Sequence, residues 1–241
     1  MPDIGRFFNI DPLAEKYVYN SPYAFSENKV TSHVELEGLE AENFMSKFKK
    51  PSELALKPVP SGAGVQHQSY SVVVQNGKRG VSDLQSTFKD KPQSILNNSK
   101  ADFQPVDGDG NKLEHANLQK GSYLEIGIPG PLNNSTVKVT GETSNANGFS
   151  MTFGTLEGHV EAGQITFSAT QGKDGSVTFS INSTSKVDNG TATSTNSVLG
   201  LEDRARSEQA KSWNEVLTNA VKYLQGTEAS RTTTKKEDEK K

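Results

Sequence analysis

Cysteine is absent from the 241 residues. That removes disulfides, thiolate zinc sites and thiol nucleophiles together, and it suits an exported protein with no thiol to be trapped by oxidation. No apolar run approaches the roughly 18 residues of a membrane span. Pro2, Asp3 and Arg6 interrupt any apolar stretch of an N-terminal signal peptide, so an export address is expected elsewhere in a longer gene product. There is no basic excess either. With 26 Lys+Arg against 29 Asp+Glu the net charge is -3 and the pI about 5.9, so nothing points to nucleic acid, whose binding domains cluster Lys and Arg. Hydrophobic residues are scarce at 32%, which predicts one core of moderate size and part of the chain irregular. No P-loop, G-x-S-x-G or H-E-x-x-H pattern occurs, and no cofactor or metal is called for.

What is present begins with aromatics. Residues 1–43 carry Phe7, Phe8, Tyr17, Tyr19, Tyr23 and Phe25, punctuated by Pro12 and Pro22, and read as loops and short strands packing onto something else. Residues 44–68, with Pro51, Pro58, Pro60, Gly62 and Gly64, read as a linker. Periodic signals fill residues 69–226. Val72-Val73-Val74 marks a buried strand. Val81, Leu84, Phe88, Ile95 and Leu96 are spaced for a helix broken near Pro92. Alternating sets then follow: Leu124, Ile126 and Ile128; Val137 and Val139; Phe149, Met151 and Phe153; Ile165, Phe167 and Ala169; Val177, Phe179 and Ile181. Period two with one apolar face predicts a sheet covered on one side. Asn147-Gly148 and Asp174-Gly175 predict type I′ hairpin turns, hence an antiparallel meander.

Trp213, Val216, Leu217, Ala220 and Leu224 form the stripe of an amphipathic helix over 201–225, with Gly226 as its C-cap. Residues 227–241 are polar, end in KKEDEKK, and predict a disordered charged tail. The order strand, helix, five strands, long helix predicts an α+β fold in which an antiparallel meander grips the C-terminal amphipathic helix, the logic of helix-grip (START-like) folds.

Two resemblances add to this reading. Gly5-Arg6-Phe7, Asp11-Pro12-Leu13, Ser21-Pro22-Tyr23 and Asn28 make residues 3–41 resemble the end of the RHS repeat-associated core, in the form common in Bacteroidetes. The resemblance implies a shell of β-strands around a variable C-terminal cargo, often a toxin between competing bacteria. The chain starts inside the motif, so the shell itself would lie outside it. Related cores end in D-P-x-G-L, where aspartyl self-cleavage frees the cargo. Glu35-Leu36-Glu37-Gly38-Leu39 stands here, with Gly38 and Leu39 matching and Asp11 a candidate carboxylate of the cleaving site. Asp11 equally suits the cap of a turn before Pro12.

The run Phe153–Phe167, FGTLEGHVEAGQITF, resembles the signature Y-G-T-L-x-G-H-x-E-x-G-E-x-x-F of the family DUF1990. Phe179-Ser180-Ile181 through Thr184-Ser185-Lys186, and Arg206 with Gln209, follow in the family's order. Gln164, Thr184 and Lys186 depart from its Glu, Phe and Arg. The resemblance covers roughly residues 69–225 and implies no activity.

His159 between Glu157 and Glu161 is the best chemical cluster. On an extended strand the three share a face, where a His and a carboxylate suit general base chemistry or a ligand set. The other reading is a tight turn between Gly158 and Gly163 held by hydrogen bonds. The H-x-E of zinc deaminases fails here for want of Cys. Thr155 is a candidate nucleophile or hydrogen-bond donor, or simply a strand cap. Arg204, Arg206 and Gln209 open the last helix. Arg206 and Gln209 lie near its apolar stripe and within range of a buried anion or the His159 loop, while a solvated face with Glu208 and Lys211 is the plainer reading. Asp107, Asp109 and Asn111 begin like an EF-hand, but Lys112 and Leu118 replace its Gly and Glu, leaving a polar turn. His33, His67 and His115 show no ligand spacing.

These readings lead to an effector module of a secreted or cell-surface RHS protein, a polymorphic toxin with an adjacent immunity protein as partner. The alternatives are a non-catalytic module for a lipid or other small apolar ligand, favoured by an apolar cavity with few inward polar groups, and a structural cell-surface ending.

Overall fold

The computed structural model describes residues 33–36, 40–43, 49–128, 134–159, 161–187 and 201–239, with the backbone alone at 33–36, 40–43, 134 and 201–206. The chain divides into two compact units, one of residues 1–49 and 187–204, the other of residues 50–186 and 205–241. In the first unit β1 (His33–Leu36) and β2 (Glu40–Asn43) pair antiparallel, His33 opposite Asn43 and Leu36 opposite Glu40. Asp11, Gly38 and Leu39 lie outside the described residues.

The second unit is built on one eight-stranded sheet. Its strands are β3 (Gln66–Gln75), β4 (Asp102–Val106), β5 (Tyr123–Gly127), β6 (Asn134–Asn145), β7 (Gly148–Thr155), β8 (Glu161–Gln171), β9 (Val177–Val187) and β10 (Thr227–Glu237). They lie in the order β10-β3-β9-β8-β7-β6-β5-β4. From β4 to β9 each strand neighbours the next in sequence, the expected meander. Between β3 and β4 come α1 (Val81–Asp90) and α2 (Gln93–Leu96), separated at Pro92, and α3 (Leu201–Leu224) follows β9.

Alternation sets the faces. On β3 the buried side chains are Gln68, Tyr70, Val72 and Val74, with Val73 half-buried between them. The triple valine is therefore a one-faced strand rather than one buried on both sides. Phe103, Leu124, Val137, Val139, Phe149, Met151, Phe153, Phe167, Phe179 and Ile181 continue that inner face. Val81, Leu84 and Phe88 of α1, Ile95 and Leu96 of α2, and the whole predicted stripe of α3 join them in a single core. Phe88 lies 5.6 Å from Phe149 and 5.4 Å from Phe167, ring centre to ring centre. One sheet holding a long C-terminal helix on its apolar face is the helix-grip arrangement.

Four local expectations are corrected. The 227–241 tail does not stay unstructured: β10 pairs along β3 from Thr227 opposite Gln75 to Glu237 opposite Gln66. Its side chains are nearly all exposed, so no apolar period announced it. The backbone ladder and Arg231 hold it instead. Arg231 Nη1 donates to Asn214 O of α3 at 2.9 Å and its Nη2 to Glu228 at 2.7 Å. The expected linker is likewise drawn into the second unit from residue 50. Ser52 N–H donates to Gly108 O, Lys57 N–H to Thr155 O and Glu157 N–H to Ala55 O, so residues 55–57 run beside the end of β7.

The other two corrections concern glycine. The first hairpin turns at Ala146-Asn147, and neither Asn147 nor Gly148 has a positive φ. A Cβ on Gly148 would stand 2.3 Å from Ala169 O, so close approach is what the position requires. At the end of α3 the left-handed residue is Gln225, φ +52°, and a Cβ on Gly226 would meet Gln75 O at 2.6 Å. At the second hairpin Gly175 has φ +81° but Asp174 has no positive φ, so the type I′ turn expected there does not form either; the Asp174 carboxylate accepts from Ser176 N–H and Oγ–H.

Candidate functional site

A cavity of about 80 Å³ opens between the inner face of the sheet and the N-terminal half of α3. Its apolar wall is Phe103, Leu124, Ile126, Val137, Phe153, Ile165, Phe167 and Trp213. Each sheet residue of that wall sits at an inward position of its strand, so the period that builds the core also builds the cavity. Phe153 meets Phe167 edge-on at 5.9 Å and Phe167 meets Trp213 edge-on at 5.8 Å, while Phe103 lies 6.1 Å from Trp213. One end is polar: Thr155, His159, Glu161 and Gln164 from the β7–β8 turn, Ser183 and Ser185 of β9, and Gln209 of α3.

The turn explains the polar end. Gly158 has φ +87° and His159 N–H donates to Leu156 O at 3.1 Å. Residues 156–159 therefore turn back instead of extending, and the strand geometry expected to align residues 157, 159 and 161 does not hold. His159 and Glu161 face the cavity, but Glu157 is not among its lining residues. Thr155 Oγ accepts from Gly163 N–H at 2.9 Å and lies 3.3 Å from Gly163 O, so the buried hydroxyl ties the end of β7 to β8. Gly163 has no room for a side chain, since a Cβ would come within 2.3 Å of Thr184 O.

His159 Nδ1 lies 3.0 Å from both the N–H and the carbonyl oxygen of Glu161. Accepting from the N–H leaves the ring proton on Nε2, and donating to the carbonyl leaves Nε2 free to accept. Burial of the ring pushes the His159 pKa down to about 4; Glu161 opposes that shift and nearby Lys57 adds to it. The ring is thus neutral at pH 7. Lys57 Nζ also donates to the His159 carbonyl.

Of the helix residues singled out from the sequence, Gln209 reaches the cavity. Its Oε1 accepts from Gln68 Nε2 at 3.2 Å, and Gln68 Oε1 accepts from Tyr70 O–H at 2.7 Å. Arg204 and Arg206 lie on α3, with side chains outside the described residues. Glu208 pairs with Lys211 at 2.6 Å and Lys100 at 2.7 Å, the solvated face expected of that stretch. Asp107 accepts from the N–H groups of Asp109 and Asn111, which makes the EF-hand-like stretch a polar turn. Among the described residues no group of three or more His, Asp or Glu has a metal-holding arrangement, and no helix is long and apolar enough to cross a membrane.

Four residues at or beside the site were not among the sequence candidates. Lys57 stood in a supposed linker. Ser183 and Ser185 stood at the start of a Thr-, Ser-, Asn- and Gly-rich stretch, 183–197, that reads as a loop, whereas β9 continues to Val187. Trp213 registered as core, although its indole N–H, a polar group on an apolar stripe, was a visible reason to ask what it binds. That N–H is buried and meets no acceptor among the described residues. Such an unmade bond costs about 1–3 kcal/mol.

Several solved structures are similar to this chain at low identity. A hypothetical protein from Helicobacter pylori is 10% identical, with a TM-score of 0.46 over 65% of this chain and 86% of its own. Truncated norcoclaurine synthase from Thalictrum flavum is 13% identical, with a TM-score of 0.41 over 68% and 98%. Major latex-like protein 151 from Panax ginseng is 15% identical, with a TM-score of 0.35 over 65% and 97%. Comparison with curated proteins gives no significant match. The family described as "Domain of unknown function (DUF1990)" matches residues 52–221, a span that includes every wall of the cavity, and the chain belongs to this family.

Proposed function

We propose that the second unit is a binding module for a small, mostly apolar molecule held between the sheet and α3. The observation that carries this reading is the aromatic and aliphatic wall from Phe103 to Trp213 around a cavity of about 80 Å³. An apolar ligand against this wall removes aromatic and aliphatic surface from water, a gain of roughly 25 cal/mol per Å². The volume is small beside the several hundred Å³ of drug-sized pockets, which favours a ligand of one ring or the end of a chain.

Catalysis by His159, Glu161 and Thr155 is the weaker account. A histidine held down to about 4 is a poor base at neutral pH, and the Thr155 hydroxyl is engaged by Gly163.

The test is an NMR titration of the full chain with benzene and with methylenecyclohexane, following the resonances of Phe153, Phe167 and Trp213. Saturable shifts are expected in the wild type. They should vanish in Val137→Phe, whose larger ring fills the cavity. Absence of saturable binding for both probes would refute the reading.

The RHS resemblance of residues 3–41 supports a second reading, in which this module is the cargo of a secreted RHS protein, with the RHS shell and an immunity protein as partners. Expression of the chain in the bacterial cytoplasm and, separately, with an export signal tests it. Growth arrest in one compartment favours an effector, and growth in both, with folded protein present, counts against it.

A further inference from the structure

Three polar side chains meet on the face of the sheet that points away from the cavity. On β9, Ser183 and Ser185 line the cavity, so strand alternation turns Thr184 to the opposite face, where His67 of β3 stands directly across from it. His67 Nδ1 lies 3.2 Å from Thr184 Oγ1, and His67 Nε2 lies 3.1 Å from an Asp238 carboxylate oxygen. Asp238 follows the last residue of β10, and its main chain is fixed on both sides: its N–H donates to Val65 O and its carbonyl accepts from Gly64 N–H. An ionised carboxylate only accepts, so in the neutral imidazole the proton sits on Nε2, Nδ1 is an acceptor, and the Thr184 hydroxyl is the donor. That is the direction in which a base takes a proton from a nucleophile, with the base held by a third group. The His67 and Asp238 side chains are 41% and 36% exposed, which leaves the group open to a substrate and to water.

We propose that these residues form an acyl-transfer site for esters, with Thr184 as nucleophile, His67 as general base and Asp238 as the positioning residue. Thr184 Oγ1 attacks the ester carbonyl carbon while its proton passes to His67 Nδ1. The bond from that carbon to the alcohol oxygen then breaks, and the alcohol leaves with the proton from Nδ1. Water, deprotonated by the same nitrogen, attacks the acyl-threonine, releases the carboxylic acid and restores the Thr184 hydroxyl. The sum is ester plus water giving acid plus alcohol. Lys236, paired with His67 across β10 and β3 and exposed, puts a cation on that face for the negative charge that develops on the attacked carbonyl oxygen. An open site gives the transition state little binding energy beyond these contacts, so its substrates are esters whose alcohol departs readily.

The probe is 4-nitrophenyl acetate, added to the full chain at neutral pH. Release of 4-nitrophenol should fall about a hundredfold in Thr184→Ala and in His67→Ala, while Thr184→Ser, which keeps a hydroxyl, stays active. Asp238→Asn should lower kcat and leave KM unchanged. An amide can donate to Nε2 and so lets the ring proton shift to Nδ1, where it blocks transfer from Thr184. Wild-type protein quenched in acid during turnover should carry an acetyl group on Thr184, read by mass spectrometry of its peptides. Turnover by Thr184→Ala at the wild-type rate overturns the assignment, as does wild-type turnover no faster than in buffer. Acetyl groups on lysines or His67 with none on Thr184 also overturn it. Should the variants fail to fold, the wild-type mass spectrum decides alone: acetyl-Thr184 supports the site and its absence overturns it.

Discussion

His159 shows how one side chain couples site to stability. Burial pushes its pKa from 6.5 to about 4 in the fold, while the unfolded chain keeps the ordinary value. Between those two pH values the unfolded state binds a proton that the folded state refuses. Stability is therefore full above about pH 6.5 and is lost as pH falls toward 4, by an upper limit of about 3 kcal/mol. We expect urea midpoints of the wild type to fall over this window more steeply than those of His159→Gln, which has nothing to titrate there. Parallel slopes would show that the ring titrates as if solvated. Glycine gives the second lesson at this scale. At Gly148, Gly163 and Gly226 the missing Cβ makes room for a neighbouring backbone at 2.3–2.6 Å, a constraint that comes from another strand.

Among the elements, β10 is the one that composition concealed. A polar strand at a sheet edge gains little from burial, and its charged residues blunt further pairing. Its attachment concentrates on Arg231, whose side chain is 26% exposed and which bridges Asn214 O, Thr218 Oγ and Glu228. Arg231→Ala is expected to lower stability by about 1–2 kcal/mol, measured as a denaturation midpoint. Thr233→Ala, on the same strand and exposed, should stay within about 0.5 kcal/mol. Arg231→Lys should not rescue, because an ammonium cannot reproduce the forked donor set. Equal effects at 231 and 233 would mean that the ladder alone secures the strand.

On the scale of the molecule, the second unit contains a continuous core of sheet, α1, α2 and α3 together with every residue of the cavity wall. A chain beginning at Lys50 should consequently fold, melt within a few degrees of the full chain, and bind the same apolar probes. A collapse of its melting transition would show that residues 1–49 contribute to the stability of this core. The cavity belongs to this scale too. Its wall draws on β4 to β9 and on α3, so no segment of the chain contains the site.

Much of this was legible in the residues. Period two in Val177, Phe179 and Ile181, and the stripe from Trp213 to Leu224, specify strand and helix because each element must bury one face. The antiparallel sheet gripping its last helix follows from that need. His159, Glu161, Thr155 and Gln209 were candidates in the sequence, and the fold brings all four to one cavity. Tertiary structure decided the rest. It turned residues 156–159 and so took Glu157 off the face of its neighbours. It drew residues 50–57 out of an apparent linker, and it paired a polar tail with β3. It also buried one indole N–H without an acceptor. Each outcome depends on partners distant in sequence, and a local pattern encodes only which way a side chain points, not what it meets there.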